Sequence, residues 1–258
     1  FILAPEDGHI SKCLDWIPSL RTQKHKYLLS PRKESYEILV QSLRICSELN
    51  AGILHIQTPP TFNSDENLKG IHDLLSSVDL GNVRLAWEIR GKVSDGTIEL
   101  MRDMGMIHCT DISREMPAVD SDIMYTRLFG HGKHNLYQFD DAELLNIERG
   151  ARERGQDNVY LTFHGAKMYS DAARLKVYEK NVTFPKVTKA VGLASLRLVL
   201  EEDAVFPATK SELIEKQGWK MFDLTENDHV HADMLLGKLS DRKYSSVEEV
   251  IGDLQLEF

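Results

Sequence analysis

The sequence predicts an α/β fold in which helices alternate with parallel strands, as in a (β/α) barrel of the TIM type. Three observations support this fold class. From residue 53 to about residue 180, apolar runs of strand length alternate with longer segments whose apolar residues recur at helical spacing. Most of those helical segments begin at a serine or an aspartate that is suited to cap them. Several strand segments end in charged or polar residues, as strands of such barrels do where they reach the functional face.

Composition limits the class of protein. The chain has 258 residues, which suits one barrel-sized domain with a small appendage, and its 42% hydrophobic content is typical of a folded globular protein. No apolar run approaches the roughly 20 residues of a membrane span, so no membrane partner is expected. The three cysteines, Cys13, Cys46 and Cys109, lie far apart, which predicts a reduced, cytoplasmic protein in which Cys46 and Cys109 are buried.

The N-terminal part is the least regular. Residues 1–5 and 26–29 are predicted as short strands, and residues 10–20 as an amphipathic helix. A clearer helix begins after Ser30, because serine caps helices and Pro31 suits the first helical position.

The central part shows the alternation most clearly. Two of its helices are predicted to be capped by Ser64 and Ser94. Strands are predicted at residues 53–57, 83–88, 106–111 and 123–128. Because helices join the first three of these strands, a parallel sheet is expected, although the segment between Asp111 and Ile123 is short for a full helix.

One more strand and two more helices complete the alternating region. Asp140 and Glu143 have the spacing of a capping box at a helix start. Residues 158–163 are predicted as a strand, and Ser170 as the cap of the helix that follows.

The domain organisation follows from a change of pattern near residue 182. Residues 1–181 are predicted to form the barrel domain, residues 182–206 a connecting segment and residues 207–258 a small helical domain. Helices are predicted at residues 190–200, and starting near Ser211 and Ser245.

Six segments together resemble the YecE-like family, a family of unknown biochemical function with a (β/α) barrel fold. They are QTPP (57–60), WEIRG (87–91), a strand ending at Asp111, YTRLFGHG (125–132), VYLTFHG (159–165) and YSDAARLK (169–176). The resemblance covers roughly residues 27–180. Residues 207–250 resemble a helical segment that is appended to some archaeal relatives.

The chain departs from the family pattern in three ways. Phe129 stands where the family has histidine, although His131 follows, and His164-Gly165 replaces paired asparagines. The resemblance also implies three strands before QTPP, yet only about 30 residues precede the helix after Ser30. The barrel is therefore expected to be truncated, remodelled or incomplete at its N-terminal end.

The candidate site consists of polar residues at the predicted strand ends. In a parallel barrel these ends meet at one face, so their side chains are expected to converge. Glu88 and Arg90 are also two residues apart on one strand, which directs both side chains to the same side. The set is Gln57, Glu88, Arg90, Asp111, Arg127, His131, Lys133 and His164. Alternatively, the charged members neutralise one another in a buried ion network that holds the barrel together.

Such a set suits phosphate chemistry. Arg90 and Arg127, with Lys133 and the backbone of Gly130 and Gly132, would hold a phosphate, since guanidinium groups match its oxygens. A small phosphorylated ligand is therefore the expected partner.

Acid–base and metal chemistry would use the remaining residues. Glu88 or Asp111 would be the general base, and His131 or His164 the general acid. The same four residues are candidate ligands for a divalent metal that activates water, although their spacing matches no known metal motif. His229 and His231, by contrast, are predicted to be solvated.

These considerations predict a hydrolase of phosphate esters or of nucleic-acid phosphodiesters. The net charge of −9 does not support a large nucleic-acid surface. The alternative is a non-catalytic ligand-binding or scaffold protein that acts through residues 207–258. Sugar or sugar-phosphate chemistry is a third hypothesis, based only on analogy between barrels.

Overall fold

The computed structural model describes residues 2–3, 32–59, 62, 64–133 and 135–255. It has a mixed α/β structure with parallel strands, which confirms the predicted class. The chain divides into two compact units. The first unit comprises Phe1–Thr126 and Gly155–Leu161, and the second unit comprises Arg127–Arg154 and Thr162–Phe258.

The strands of the alternating region follow one another in space as they do in sequence. Strands β1 (Ile2–Leu3), β2 (Ile53–Thr58), β3 (Arg84–Ile89) and β4 (Ile107–His108) form a parallel sheet in that order. A parallel bridge between Thr110 and Thr126 continues it to β5 (Ile123–Leu128), which pairs with β6 (Asn158–Phe163).

The predicted closed barrel is not seen in the part of the chain that the structure describes. Closure of a TIM-type barrel takes eight strands, and β1 to β6 are fewer than that. The strand predicted at residues 1–5 is observed at Ile2–Leu3. The helix predicted at residues 10–20, the strand at 26–29 and the start of a helix at Ser30 lie outside the described residues.

Helices α1 (Lys33–Glu48), α2 (Asp65–Ser76) and α3 (Asp95–Asp103) connect the strands of the first unit. Two predicted caps are confirmed, because Ser64 Oγ accepts a hydrogen bond from Asn67 N at 3.4 Å and Ser94 Oγ accepts one from Thr97 N at 3.2 Å. Local sequence therefore sets where these helices begin.

The sheet of the first unit has two different faces, because successive strand residues point to opposite sides. One face packs on the helices and includes Leu54, Ile56, Leu85, Trp87 and Ile89. The hydroxyl of Thr58 accepts a hydrogen bond from Trp87 Nε1 at 2.9 Å and links β2 to β3 on that side. The opposite face carries polar residues among apolar ones and includes His55, Gln57, Ala86, Glu88, Ile107 and Cys109.

The second unit begins with the ends of β5 and β6 and continues with helices and short strands. Its elements are α4 (Asp141–Glu153), α5 (Met168–Asn181), α6 (Leu193–Glu201), β7 (Ala208–Thr209), α7 (Lys210–Gln217), β8 (Met221–Asp223), β9 (His229–His231), α8 (Asp233–Leu236), β10 (Lys243–Tyr244) and α9 (Val247–Gln255). Strand β7 pairs with β10, and β8 with β9, both antiparallel. Leu196 and Leu200 of α6, from the predicted connecting segment, share the buried core of this region.

Two predicted helix starts have different outcomes. The capping box of Asp140 and Glu143 at α4 is confirmed. The predicted cap at Ser170 is wrong, because α5 begins at Met168, after a turn in which Met168 N donates to Gly165 O at 3.3 Å. Ser170 Oγ instead accepts a hydrogen bond from Gln138 Nε2. Among the described residues, none of the helices is both long and apolar enough to span a membrane.

Candidate functional site

The eight predicted site residues fall into two groups of four. Gln57, Glu88, Arg90 and Asp111 belong to the first unit. Arg127, His131, Lys133 and His164 belong to the second unit.

Gln57 and Glu88 are brought together. They are register partners on the parallel strands β2 and β3, so both side chains point to the same face of the sheet. Gln57 is 4% exposed and Glu88 is 7% exposed. A carboxylate this deeply buried requires polar or charged partners, so the residues around Glu88 are candidates for a functional site.

Arg90 and Asp111 have different environments from Glu88. Strand β3 ends at Ile89, and the side chain of Arg90 is exposed, while its backbone N–H donates to Thr58 O at 3.1 Å. Asp111 accepts hydrogen bonds from Ser113 N at 3.0 Å and Ser113 Oγ at 2.6 Å. These bonds give Asp111 a role in shaping the turn after β4.

Two residues that the sequence analysis did not single out for a site lie beside Glu88. Nε2 of the fully buried His55 lies 3.2 Å from Glu88 Oε2. The side chain of Cys109 joins this pair, and one ligand atom from each residue lies within 4.8 Å of the others. We call this set the His55 cluster. The sequence held one signal for it, because His55 precedes Gln57 by two residues and so shares its face of β2.

Cys46 and Cys109 are both free and buried, as predicted. Cys13 lies outside the described residues.

In the second unit, Arg127 and His164 are brought together. Arg127 is 8% exposed, and its Nη2 lies 3.3 Å from Nδ1 of His164. The ring of Phe129 contacts both, with the guanidinium carbon 4.9 Å from the ring centroid and the imidazole centroid also at 4.9 Å. Because arginine has no acceptor atom, Nδ1 must accept this hydrogen bond, which leaves the proton on Nε2.

His131 lies near a half-buried tyrosine and a carboxylate. Its Nε2 is 3.7 Å from Glu143 Oε1, which also accepts a hydrogen bond from the Tyr137 hydroxyl at 2.6 Å. Burial, and then the Glu143 carboxylate, raise the pKa of Tyr137 well above its usual range, so the phenol keeps its proton. Lys133 is exposed in the same loop, and its carbonyl accepts from Leu136 N at 2.9 Å.

The loop that holds His131 is closely packed. Gly130 has a φ of +71°, and a Cβ atom built there would lie 2.1 Å from Tyr137 Cδ1. Ala166 N, two residues beyond His164, donates to Asn135 O at 3.1 Å, so this loop lies against the segment that follows β6. Glycine at position 130 therefore serves the packing of Tyr137.

A second set of residues in this unit has ligand atoms close enough for a metal. Asp140, Glu143 and His231 are half-buried and offer one ligand atom each within 4.8 Å. Nδ1 of His231 lies 3.1 Å from Trp219 O, which orients Nε2 as the free ligand atom. The two acids also form the capping box of α4, so helix capping alone accounts for their proximity.

The prediction that His229 and His231 are solvated is wrong for His229, which is buried, while His231 is half-buried. Nδ1 of His229 pairs with the fully buried carboxylate of Asp223. Asp223 also accepts hydrogen bonds from Val187 N at 2.9 Å and Thr188 N at 2.6 Å. Pairing across the β8–β9 hairpin, where Asp223 and His229 are register partners, turns the imidazole inward.

Comparisons with known proteins identify the family. The family model described as "Protein of unknown function DUF72" matches residues 19–186. This is the YecE-like family, so the predicted resemblance is confirmed. A crystal structure of a DUF72 family protein from Thermotoga maritima is 18% identical, with a TM-score of 0.44, over 59% of this chain and 66% of that chain. The chain thus spans just under two thirds of the length of that protein. No curated protein matches the chain significantly.

Proposed function

The chain belongs to the DUF72 family, whose function is unknown, and from the second unit we propose that it is a hydrolase of phosphate esters. The observation that carries this proposal is the contact at 3.3 Å between the guanidinium of the buried Arg127 and the imidazole of His164. It pairs a permanent cation, which can bind phosphate oxygens, with a group that can transfer a proton to or from the reacting atoms of a phosphate ester.

Arg127 would bind the phosphate. A guanidinium group donates two parallel hydrogen bonds to phosphate oxygens, and the ring of Phe129 helps to fix its orientation. We assign an auxiliary role to Lys133, whose exposed side chain would draw an anion toward the loop.

His164 would act as the general acid. With Nδ1 accepting from Arg127, the proton on Nε2 is the one available to the leaving alkoxide oxygen. His131 would be the general base that takes a proton from the attacking water. The carboxylate of Glu143, at 3.7 Å, would stabilise the imidazolium that forms.

The proposal also includes the barrel fold, the kind of substrate and the location that the sequence predicts. We propose that β1 to β6 belong to a (β/α) barrel of the TIM type, in keeping with the parallel, sequential order of β1 to β4 and the parallel bridge that leads on to β5. A small phosphorylated molecule is the proposed substrate, since the net charge of −9 opposes a broad contact with nucleic acid. The cytoplasmic location and the archaeal character of residues 207–250 also remain predictions.

The test is a hydrolysis assay with p-nitrophenyl phosphate and bis-p-nitrophenyl phosphate, each with and without Mg²⁺, Mn²⁺ or Zn²⁺. His164→Asn should lower kcat by about 10²- to 10⁴-fold, because general acid catalysis contributes that much. Arg127→Gln should raise KM by about 10- to 100-fold, the loss of a hydrogen bond to a charged group. Matched controls are His72→Asn and Arg44→Gln, which replace exposed side chains on α2 and α1.

Absence of turnover for both substrates, or unchanged kinetics in Arg127→Gln and His164→Asn, would refute the proposal. The non-catalytic alternative would then be tested by deleting residues 207–258 and asking whether a co-purifying partner is lost.

A further inference from the structure

We propose that the His55 cluster, formed by His55, Glu88 and Cys109, is a binding site for Zn²⁺ or a similar borderline-soft divalent metal. All three residues belong to the first unit, and the proposal does not rest on the hydrolase proposed from residues of the second unit.

The sheet itself brings the three ligands together. His55, Glu88 and Cys109 lie on β2, on β3 and just after β4, which are adjacent in the sheet. Trp87 and His108 are register partners, so the next residues, Glu88 and Cys109, are neighbours on one face. Adjacent parallel strands lie about 4.8 Å apart, close enough for one ligand from each to share an ion.

The burial and missing hydrogen bonds of His55 indicate that it is a metal ligand. The residue is 0% exposed, and neither of its ring nitrogens forms a hydrogen bond with any described residue, although Nε2 lies 3.2 Å from Glu88 Oε2. Leaving a buried polar atom without a hydrogen bond costs about 1–3 kcal/mol, so such atoms are rare in folded proteins. Coordination of a metal through one of these nitrogens would remove that cost.

The chemistry of the three side chains selects the metal. One imidazole, one carboxylate and one thiolate form a set that binds Zn²⁺, whereas Mg²⁺ and Ca²⁺ prefer oxygen ligands. Ligand atoms of tetrahedral zinc are about 3.5 Å apart, as follows from Zn–N and Zn–S lengths of about 2.0 and 2.3 Å. The observed limit of 4.8 Å therefore requires only small side-chain movements.

Charge and position agree with this assignment. An ionised Glu88 and a Cys109 thiolate together neutralise a dication within a face that also holds Ala86 and Ile107. The ring of Tyr125 lies against His55, with centroids 5.5 Å apart, and restrains the imidazole. Three protein ligands leave a fourth position for water or for another ligand, as in zinc sites that bind substrates.

The test uses Co²⁺ as a spectroscopic probe on the full chain. The wild-type protein should bind one Co²⁺ with a thiolate-to-cobalt charge-transfer band, and Zn²⁺ should displace it. Cys109→Ser should abolish the band, whereas Cys46→Ser, at the other described buried cysteine, should retain it. His55→Gln should weaken Co²⁺ binding at least about tenfold, with the thiolate band moved or lost.

X-ray absorption of the zinc-loaded wild-type protein supports the test without any variant. One sulfur atom at about 2.3 Å from zinc is expected. The proposal is overturned if the wild type shows no thiolate band, if the band survives in Cys109→Ser, or if zinc has only nitrogen and oxygen neighbours. In the last case the metal would be held elsewhere, and Asp140, Glu143 and His231 would be the first alternative ligands to test.

Discussion

Replacing Gly130 by alanine should destabilise the second unit strongly. Gly130 has a φ of +71°, a conformation that costs a residue with a Cβ atom about 1–2 kcal/mol. The added Cβ would also lie 2.1 Å from Cδ1 and 2.8 Å from Cγ of Tyr137. These atoms belong to the base of the ring, so the ring must move as a whole.

Movement of the Tyr137 ring has its own cost. Its hydroxyl donates to Glu143 at 2.6 Å, and a hydrogen bond to a charged group contributes about 1.5–3 kcal/mol. Strain in a packed interior costs about 1–3 kcal/mol if the ring stays in place. By either route Gly130→Ala should lower the free energy of unfolding by about 2–5 kcal/mol in total.

The measurement is a urea titration followed by circular dichroism and tryptophan fluorescence. Gly155→Ala is the matched control, since Gly155 has a φ of +67° and nothing within 4 Å of the added Cβ. Its free energy of unfolding should fall only by the backbone cost of about 1–2 kcal/mol. In a Tyr137→Ala background, Gly130→Ala should cost no more than Gly155→Ala does. Equal losses for the two glycine variants in the wild-type background would refute the clash with Tyr137.

Two further predictions concern buried polar groups. Burial lowers the pKa of His108 from 6.5 to about 4, and its Nδ1 accepts a hydrogen bond from Ala118 N at 2.9 Å, so the folded protein holds it neutral. The unfolded chain binds the proton more tightly, so protonation of His108 favours unfolding. The contribution of neutral His108 to the free energy of unfolding is therefore full above pH 6.5 and declines as pH falls toward 4, with about 2 kcal/mol lost at pH 5. Urea titrations at pH 7 and pH 5 should show this loss in the wild type and not in His108→Gln, and equal pH dependence in both would contradict it. Asp223→Asn should lower the free energy of unfolding by about 3–5 kcal/mol. Whichever carboxylate oxygen is replaced by an amide nitrogen would then face a backbone N–H group, that of Val187 or that of Thr188, and the negative charge beside His229 would be removed. Thermal denaturation measures this loss, and a shift of the melting temperature no larger than that of the exposed Asp241→Asn would contradict it.

Much of the fold was predictable because its signals are local. The caps at Ser64, Ser94 and Asp140 depend on residues within one turn of the helix, and all three are observed. The alternation of apolar residues placed β5 and β6 at their observed bounds. The cap expected at Ser170 failed because the turn at Gly165 begins α5 two residues earlier.

The candidate site was predictable only in part. The pairing of Gln57 with Glu88 in the strand register and the contact between Arg127 and His164 follow from strand ends that lie side by side. His55 was missed because a histidine inside an apolar strand has the same local pattern as a core residue.

The sequence by itself determined the family, the α/β class and the positions of most helices and strands, because residues close in the chain encode them. Only the tertiary structure decided that His55 and Cys109 meet Glu88, since the register of three adjacent strands places them on one face. It also decided that His229 is buried against Asp223, through pairing of a hairpin. Contacts of this kind depend on which strands pair and in which register, and no short stretch of sequence contains that information.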